Sequence, residues 1–226
     1  MSAVAKREAP AKETRPALAS LPPGRHGLSR EFVDENQRGR ITAGMIATVV
    51  ERGYHAATIT AIAAAAGVSR RAFYGYFKGK AECFEDTYRQ IEAHLLATMR
   101  EAGEESRGWP AKLRARLGAM LATFAENPDL ARYTMIASQE AGGEQAARYR
   151  ELLRNLLAVL SEGVPRNVKR PSEATEEGLL GALATLIERE VKAGRGEQLE
   201  RLEPELSLLL LSAYLGRHKA LAELGE

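Results

Sequence analysis

Thr58-Ile-Thr-Ala-Ile-Ala-Ala-Ala-Ala-Gly-Val-Ser-Arg-Arg-Ala-Phe-Tyr-Gly-Tyr-Phe-Lys-Gly-Lys80 places its apolar, glycine and basic residues where two short crossing helices need them. Small or apolar side chains fall at Ile62, Ala63, Ala66, Val68, Phe73 and Tyr76, the positions that interdigitate at such a crossing. Gly67 stands at the bend, where a residue at positive φ is wanted and glycine adopts it without a steric penalty. A tight turn carrying glycine between two short helices is the mark of a helix-turn-helix. Thr58 is placed to cap the first of these helices and Ser69 the second.

The second helix has two faces. Phe73, Tyr76 and Phe77, spaced i, i+3, i+4, are expected to point inward. Arg70, Arg71, Tyr74, Gly75 and Lys78 fall on the other side, and no carboxylate occurs from Gly53 to Ala81. Long cations and a phenol on an outward face reach phosphates or base edges, and arginine pairs bidentately with guanine. The alternative is an ordinary solvated charged face.

Around this stretch the pattern is helical. From Ser29, Phe32 and Val33 open a periodicity that runs through Ile41, Gly44, Met45, Thr48 and Val49 to a stop at Gly53. Phe84, Tyr88, Ile91, Leu95 and Met99 form one stripe. Further helices are read over 109–127 after Trp109-Pro110, through Leu130 to Ile136, from Tyr149 to Leu160, from Leu179 to Val191 and from Leu206 to Tyr214. Gly163 to Pro171 reads as a loop. Nothing alternates with period two over a strand's length, so the expected fold is all-α, with about nine helices. The division expected is a disordered basic arm over 1–28, a helix-turn-helix domain over 29–80 and a larger helical effector-binding and dimerisation bundle over 81–226.

The chain has 226 residues and a formal net charge of only +2, but that charge is unevenly placed. Residues 1–81 hold 13 Lys/Arg against 6 Asp/Glu, and residues 82–226 hold 19 against 24. A basic head on an acidic body suits a protein that docks one end on phosphates. Cys83 is the one cysteine, which excludes an intrachain disulfide and agrees with a reducing cytoplasm. A packed thiol is expected there. No signal-like apolar segment follows Met1 and no run approaches a bilayer span, so a cytoplasmic protein with no membrane role is expected.

The run Arg38-Gly-Arg-Ile-Thr-Ala-Gly-Met-Ile-Ala-Thr-Val-Val-Glu-Arg-Gly-Tyr54, followed by Thr58 to Lys80, resembles the N-terminal domain of TetR/AcrR-type transcriptional regulators. The resemblance covers about 45 residues and lies in Glu51-Arg-Gly-Tyr54, Ile62-Ala63, Ala66-Gly-Val-Ser69, Phe73-Tyr74, Tyr76-Phe77 and Lys80. It implies an all-helical homodimer that sets two reading heads in successive major grooves of a double-stranded, roughly palindromic operator. The last two helices would form the dimer's four-helix bundle, and a small-molecule effector in the body would change the spacing of the heads. Carried over residue by residue, it puts Ser69, Tyr74 and Lys80 on phosphate, Arg70 and Arg71 on bases, and Thr58 or Thr60 on phosphate at a helix N-terminus. Ala72, Gly75, Tyr76 and Lys78 complete the DNA-facing set. Ala72 stands where many members carry a hydroxyl, and Gly75 where a larger side chain is usual. Arg25-His26 and Arg30 read either as an arm into the minor groove or as a basic tail.

Histidines 26, 55, 94 and 218 are scattered without metal-ligand spacing, and phosphate-binding, nucleophile-elbow and dinucleotide motifs are absent. No metal, no cofactor and no enzymatic activity are therefore expected. Tyr88, His94, Trp109, Phe124, Tyr133 and Tyr149, with Met135, are the candidates to line an effector cavity for an apolar or aromatic molecule, or else are plain core. The leading reading is a ligand-responsive repressor. The alternative is a helical interaction module whose basic head docks acidic partners.

Overall fold

The computed structural model describes residues 30–225, with side chains from residue 36 onward. The arm expected over 1–28, with Arg25 and His26, and the side chains of Arg30, Phe32 and Val33 lie outside the described residues. No strand occurs among the described residues. Helix α1 (Arg30–Arg52) is stopped by Gly53, which takes φ +77° and returns its N–H to the Val49 carbonyl at 2.8 Å. Next come α2 (Ile59–Ala66), α3 (Arg70–Tyr76) and α4 (Lys80–Glu104). Helix α5 (Trp109–Glu126) opens with Pro110 in its first turn, where a missing N–H breaks no helical bond.

Two places depart from the expected helix count. The short helix read through Ile136 is three joined pieces: α6 (Pro128–Arg132), a π-helical turn (Tyr133–Ala137) and α7 (Ser138–Ala141). There Thr134 donates its hydroxyl to the Leu130 carbonyl and Ser138 donates to the Thr134 carbonyl at 2.8 Å, competing with the regular ladder. After α8 (Gly143–Ser161) and the expected loop, Ser172 caps α9 (Glu173–Lys192) by accepting the Thr175 N–H at 3.3 Å. A 3₁₀ turn (Gly196–Leu202) leads to α10 (Glu203–Leu215). Gly216, at φ +80°, breaks the C-terminal helix and starts α11 (Arg217–Leu224), a segment the periodicity did not separate.

The apolar periodicities become one continuous core. Ile41, Met45 and Val49 of α1, spaced four apart, are buried with Ile62, Ala63 and Phe73 of the next two helices. The whole α4 stripe from Phe84 to Met99 is buried, and α4 packs on both α1 and α5, so it joins head and body. The joint is also ionic. Asp86 of α4 accepts from Arg38 Nη2 at 2.5 Å and Nε at 3.2 Å, and from Gln90 at 2.6 Å. This bidentate pairing with Asp86 holds the Arg38 pKa above its ordinary value. Inside the body, the buried Arg116 donates from Nη1 to the Val159 and Glu162 carbonyls at 2.7 and 2.8 Å. It closes the C-terminus of α8 with a cation where the helix dipole favours one.

Cys83 is fully buried at the start of α4, and desolvation pushes its thiol up to about 12 from an ordinary 9.0. A folded value raised above the unfolded one means the thiol's contribution to stability is complete below pH 9 and is lost as pH rises toward 12. Two observations should follow. An aromatic disulfide reagent at about pH 8 should leave the folded chain untouched and titrate one thiol in denaturant. Stability should decline through the alkaline window, and less so in Cys83→Ala.

Candidate nucleic-acid interface

Three local devices fix the angle between α2 and α3. Thr58 Oγ1 accepts the Ala61 N–H at 3.2 Å and starts α2. The helix ends in a left-handed Gly67 (φ +62°, ψ 36°), with Gly67 N–H on the Ala64 carbonyl at 3.0 Å and Val68 N–H on the Ala63 carbonyl at 2.9 Å, the paired bonds of a Schellman end. Ser69 Oγ then accepts the Ala72 N–H at 3.0 Å and starts α3. Arg40, reaching over from α1, donates to the Gly67 carbonyl at 2.6 Å and holds the turn from outside. Gly44 lets α1 approach: a Cβ there would lie 2.7 Å from the Ile62 carbonyl oxygen and 2.8 Å from Ala66 N.

On this frame Phe73 is wholly buried, while Arg70, Arg71, Tyr74 and Gly75 face solvent. Tyr74 is 49% exposed and is the one large apolar side chain so exposed among the described residues. Thr58, Thr60 and Ser69 are exposed at the N-termini of α2 and α3, and Ala72 is half-buried. A Cβ at Gly75 would meet no atom within 4 Å. Gly75→Ala should therefore stabilise α3 by about 0.5–1 kcal/mol through helix propensity alone, read as a rise in the denaturation midpoint at constant m-value.

The structure places three of the expected contacts differently. Helix α3 ends at Tyr76, and Phe77 reaches the core from extended backbone at φ −137°, not from the helix's next turn. Lys78 consequently lies beyond α3 and not on its outer face. It is exposed, with its backbone N–H on the Glu82 carboxylate at 2.5 Å. Tyr76 is half-buried and donates its hydroxyl to Gln37 Oε1 at 3.1 Å, which ties α3 to α1. Lys80 turns inward: its ammonium donates to the Tyr54 carbonyl at 2.7 Å and the His55 carbonyl at 3.4 Å and sits 4.4 Å from the Tyr54 ring centre. Partial desolvation lowers its pKa, and one of the three ammonium hydrogens is left for an outside partner. The residue type alone could not show that these groups already had work inside the head.

The effector candidates divide as well. Phe124 and Met135 line an apolar cavity of about 20 Å³, closed by Met120 of α5, Leu156 of α8 and Leu183 and Ile187 of α9. Tyr88, Tyr133 and Trp109 are instead buried fasteners. Their polar atoms donate to the Thr134, Phe84 and Leu160 carbonyls at 3.3, 3.2 and 3.0 Å. Burial raises both tyrosines' pKa values. Tyr149 donates to Glu188 Oε1 at 2.6 Å, binding α8 to α9. His94 is exposed on α4 and is not cavity-lining or core-edge as expected, because its neighbours Ile91 and Leu95 take the inward stripe. The leucines of α8 and α9, which form most of the wall, read in the sequence as ordinary core.

The head's geometry agrees with what its segment is similar to in sequence. Residues 42–87 match the family described as bacterial regulatory proteins, tetR family. Solved structures of the same architecture extend the likeness over most of the chain. The fatty acid degradation regulator FadR from Bacillus halodurans is 22% identical with a TM-score of 0.67, covering 76% of this chain and 97% of its own. The likeness to that family thus lies in the reading domain, and the chain as a whole shares the fold of these solved regulators. FadR from Bacillus subtilis, solved in complex with stearoyl-CoA, is 22% identical over 77% of this chain and 98% of its own, with a TM-score of 0.65. SmeT, the repressor of the Stenotrophomonas maltophilia multidrug efflux pump SmeDEF, is 18% identical over 78% of this chain and 89% of its own, with a TM-score of 0.59. No curated protein matches the chain. The matched family and these neighbours are described as regulators, and no helix among the described residues is long and apolar enough to cross a membrane.

Proposed function

We propose that the chain is a ligand-responsive repressor, working as a homodimer that an apolar molecule releases from a palindromic operator. The observation that carries this reading is the open cationic side of α3: Arg70, Arg71 and Tyr74 project from a helix whose angle is set by two caps and a left-handed glycine. Arg70 and Arg71 reach base edges, while Ser69, Tyr74, Thr58, Thr60 and the remaining Lys80 donor take phosphates. Ala72 and Gly75, being small, let the helix lie deep in the groove. The domain division at 80/81 then separates reader from sensor at the first turn of α4, with Arg38–Asp86 as the tie between them.

Helix α10 supports the dimer. It is apolar on every side, burying Leu206, Leu210 and Tyr214 within the chain while Leu208, Leu209 and Ala213 stay half-exposed. Such a helix wants partners all round. Beside it α9 presents Gly178, Gly181 and Thr185 to solvent, small enough for close helix approach. Two copies meeting on these faces make a four-helix bundle with a shared two-fold axis.

The cavity is about 20 Å³, against the roughly 300 Å³ or more of a typical ligand site. An effector must therefore part the walls, and only the parted state binds it, which is what lets occupancy bias the heads. That SmeT is a repressor and that a FadR was solved with stearoyl-CoA supports both the sign of regulation and an apolar effector. Footprinting the full-length protein on DNA flanking its own gene tests the whole reading. Two protected half-sites about one helical turn or a multiple apart are expected. Protection with no repeat, or none at all, would count against it.

A further inference from the structure

We propose that Arg40 of α1 is a further DNA-binding residue, whose guanidinium holds the bend between α2 and α3 with one hydrogen and grips a backbone phosphate beside it with others. This deepens the operator-binding reading and rests on it for the presence of the duplex. Arg38 and Arg40 stand two positions apart on α1, which turns them about 200° from each other around the helix. Arg38 meets the Asp86 carboxylate of α4. Arg40 meets no carboxylate. It donates from Nη2 to the Gly67 carbonyl at 2.6 Å, and among the described residues it has no other hydrogen bond and no ion pair. A guanidinium is a rigid fork of N–H donors with no acceptor, and the bend uses only one of them.

Neither element around Arg40 supplies a counter-ion. Its neighbours one turn away on α1 are Asn36, Gln37, Ala43 and Gly44, and α2, the bend and α3 lie within the stretch from Gly53 to Ala81 that has no carboxylate. On α4, Asp86 is engaged by Arg38, and Glu82 by the Lys78 N–H. The seat itself is specific: Gly67 has no side chain, and a Cβ there would collide with the Arg40 guanidinium. Holding the far end of a long, half-exposed side chain removes its rotamer freedom before any ligand arrives. The place is also right for a phosphate. Gly67 stands two residues ahead of Ser69, the cap of α3, and Arg70 and Arg71 follow directly, so the entry end of the reading helix is cationic throughout. In a helix-turn-helix the N-terminal residues of the second helix meet base edges while the first helix crosses the strand. A fork fixed on the bend between them is at the rim of the groove, where the phosphates run, and planar donors match phosphate oxygens. One guanidinium shared by the Gly67 carbonyl and a phosphate then ties docking on the strand to the angle at which α3 enters.

The test uses the full-length protein and its footprinted operator. Arg40→Gln keeps a donor for the Gly67 carbonyl and removes the charge, whereas Arg40→Lys keeps the charge and loses the fork. Arg40→Gln should flatten the plot of log affinity against log salt by about 0.9, one phosphate's share, so that between about 50 and about 200 mM salt it loses roughly threefold less than the unaltered protein. Its weakening at low salt should be uniform across single-base operator variants, and Arg40→Lys should restore the slope. Operators carrying one neutral methylphosphonate linkage at each position in turn locate the phosphate. One linkage in each half-site should weaken the unaltered protein and cost Arg40→Gln nothing further. A wild-type slope in Arg40→Gln, with a lowered melting temperature, would make Arg40 a clamp on the bend alone and overturn the proposal. Loss confined to particular base pairs would overturn it in favour of base reading, and so would a linkage scan with no position that Arg40→Gln ignores. If the unaltered protein binds no duplex, the regulator reading beneath has failed, whereas selective binding with an unchanged slope in Arg40→Gln refutes the phosphate contact alone.

Discussion

Arg71→Ala should lower operator affinity by roughly tenfold to a hundredfold and relax base preference at one position in each half-site, since a bidentate arginine–guanine pair contributes about 1–3 kcal/mol of discrimination. The side chain is exposed and in no ion pair or hydrogen bond among the described residues, so melting temperature and dimer mass should not change. Arg70→Ala should behave alike at a neighbouring base. Lys78→Ala makes the useful contrast. Its side chain lies past the end of α3, so any loss should be uniform across DNA sequences and appear as a shallower salt slope. Binding measured on a panel of single-base operator variants distinguishes the two patterns.

Gly44→Ala should destabilise the chain by about 1–3 kcal/mol, as overpacking a close helix crossing does. The added Cβ would sit 2.7 Å from the Ile62 oxygen, 2.8 Å from Ala66 N and 2.9 Å from Ala66 Cβ. Two of those atoms are backbone of α2, and no rotamer change moves them aside. Alanine gains about 1 kcal/mol of helix propensity over glycine at an unhindered site, so the sign depends on contact. At Gly75, where the space is open, the same substitution stabilises. Because α2 positions α3 through Gly67 and Ser69, pushing α2 away from α1 should also weaken operator binding beyond the stability loss. Denaturant unfolding of both variants, with DNA binding well below the transition, checks the opposed signs.

The head was legible because its rules are local. Ser69, Gly67 and Thr58 act within four residues of themselves, and Phe73 declares the inward face by periodicity, so caps, bend and exposed arginines could be read without tertiary knowledge. Legibility failed where a residue's partner is distant in sequence. Lys80 is taken by carbonyls 26 and 25 residues away, and Tyr76 by Gln37, 39 away. In the body, aromatic residues looked like cavity lining, yet Tyr133 and Trp109 carry polar atoms that α4 and α8 backbone must satisfy. Of the expected residues only Phe124 and Met135 reach the cavity, and most of its wall is leucine, whose periodicity is the same whether it meets another side chain or a gap. Gly216 and the π-turn at Tyr133–Ala137 show a third limit, since small shifts in helix phase leave an apolar stripe intact.

If the outer side of α3 reads base edges in duplex DNA, raising salt from about 50 to about 200 mM separates sequence reading from charge docking when the intact protein is offered its footprinted site and an equal length of unrelated duplex. Both complexes should weaken, with the site retained at concentrations where unrelated DNA is fully released, and Arg71→Ala should narrow that gap. If both duplexes dissociate together, and Arg71→Ala leaves them still together, the helix only docks on negative charge and does not read sequence.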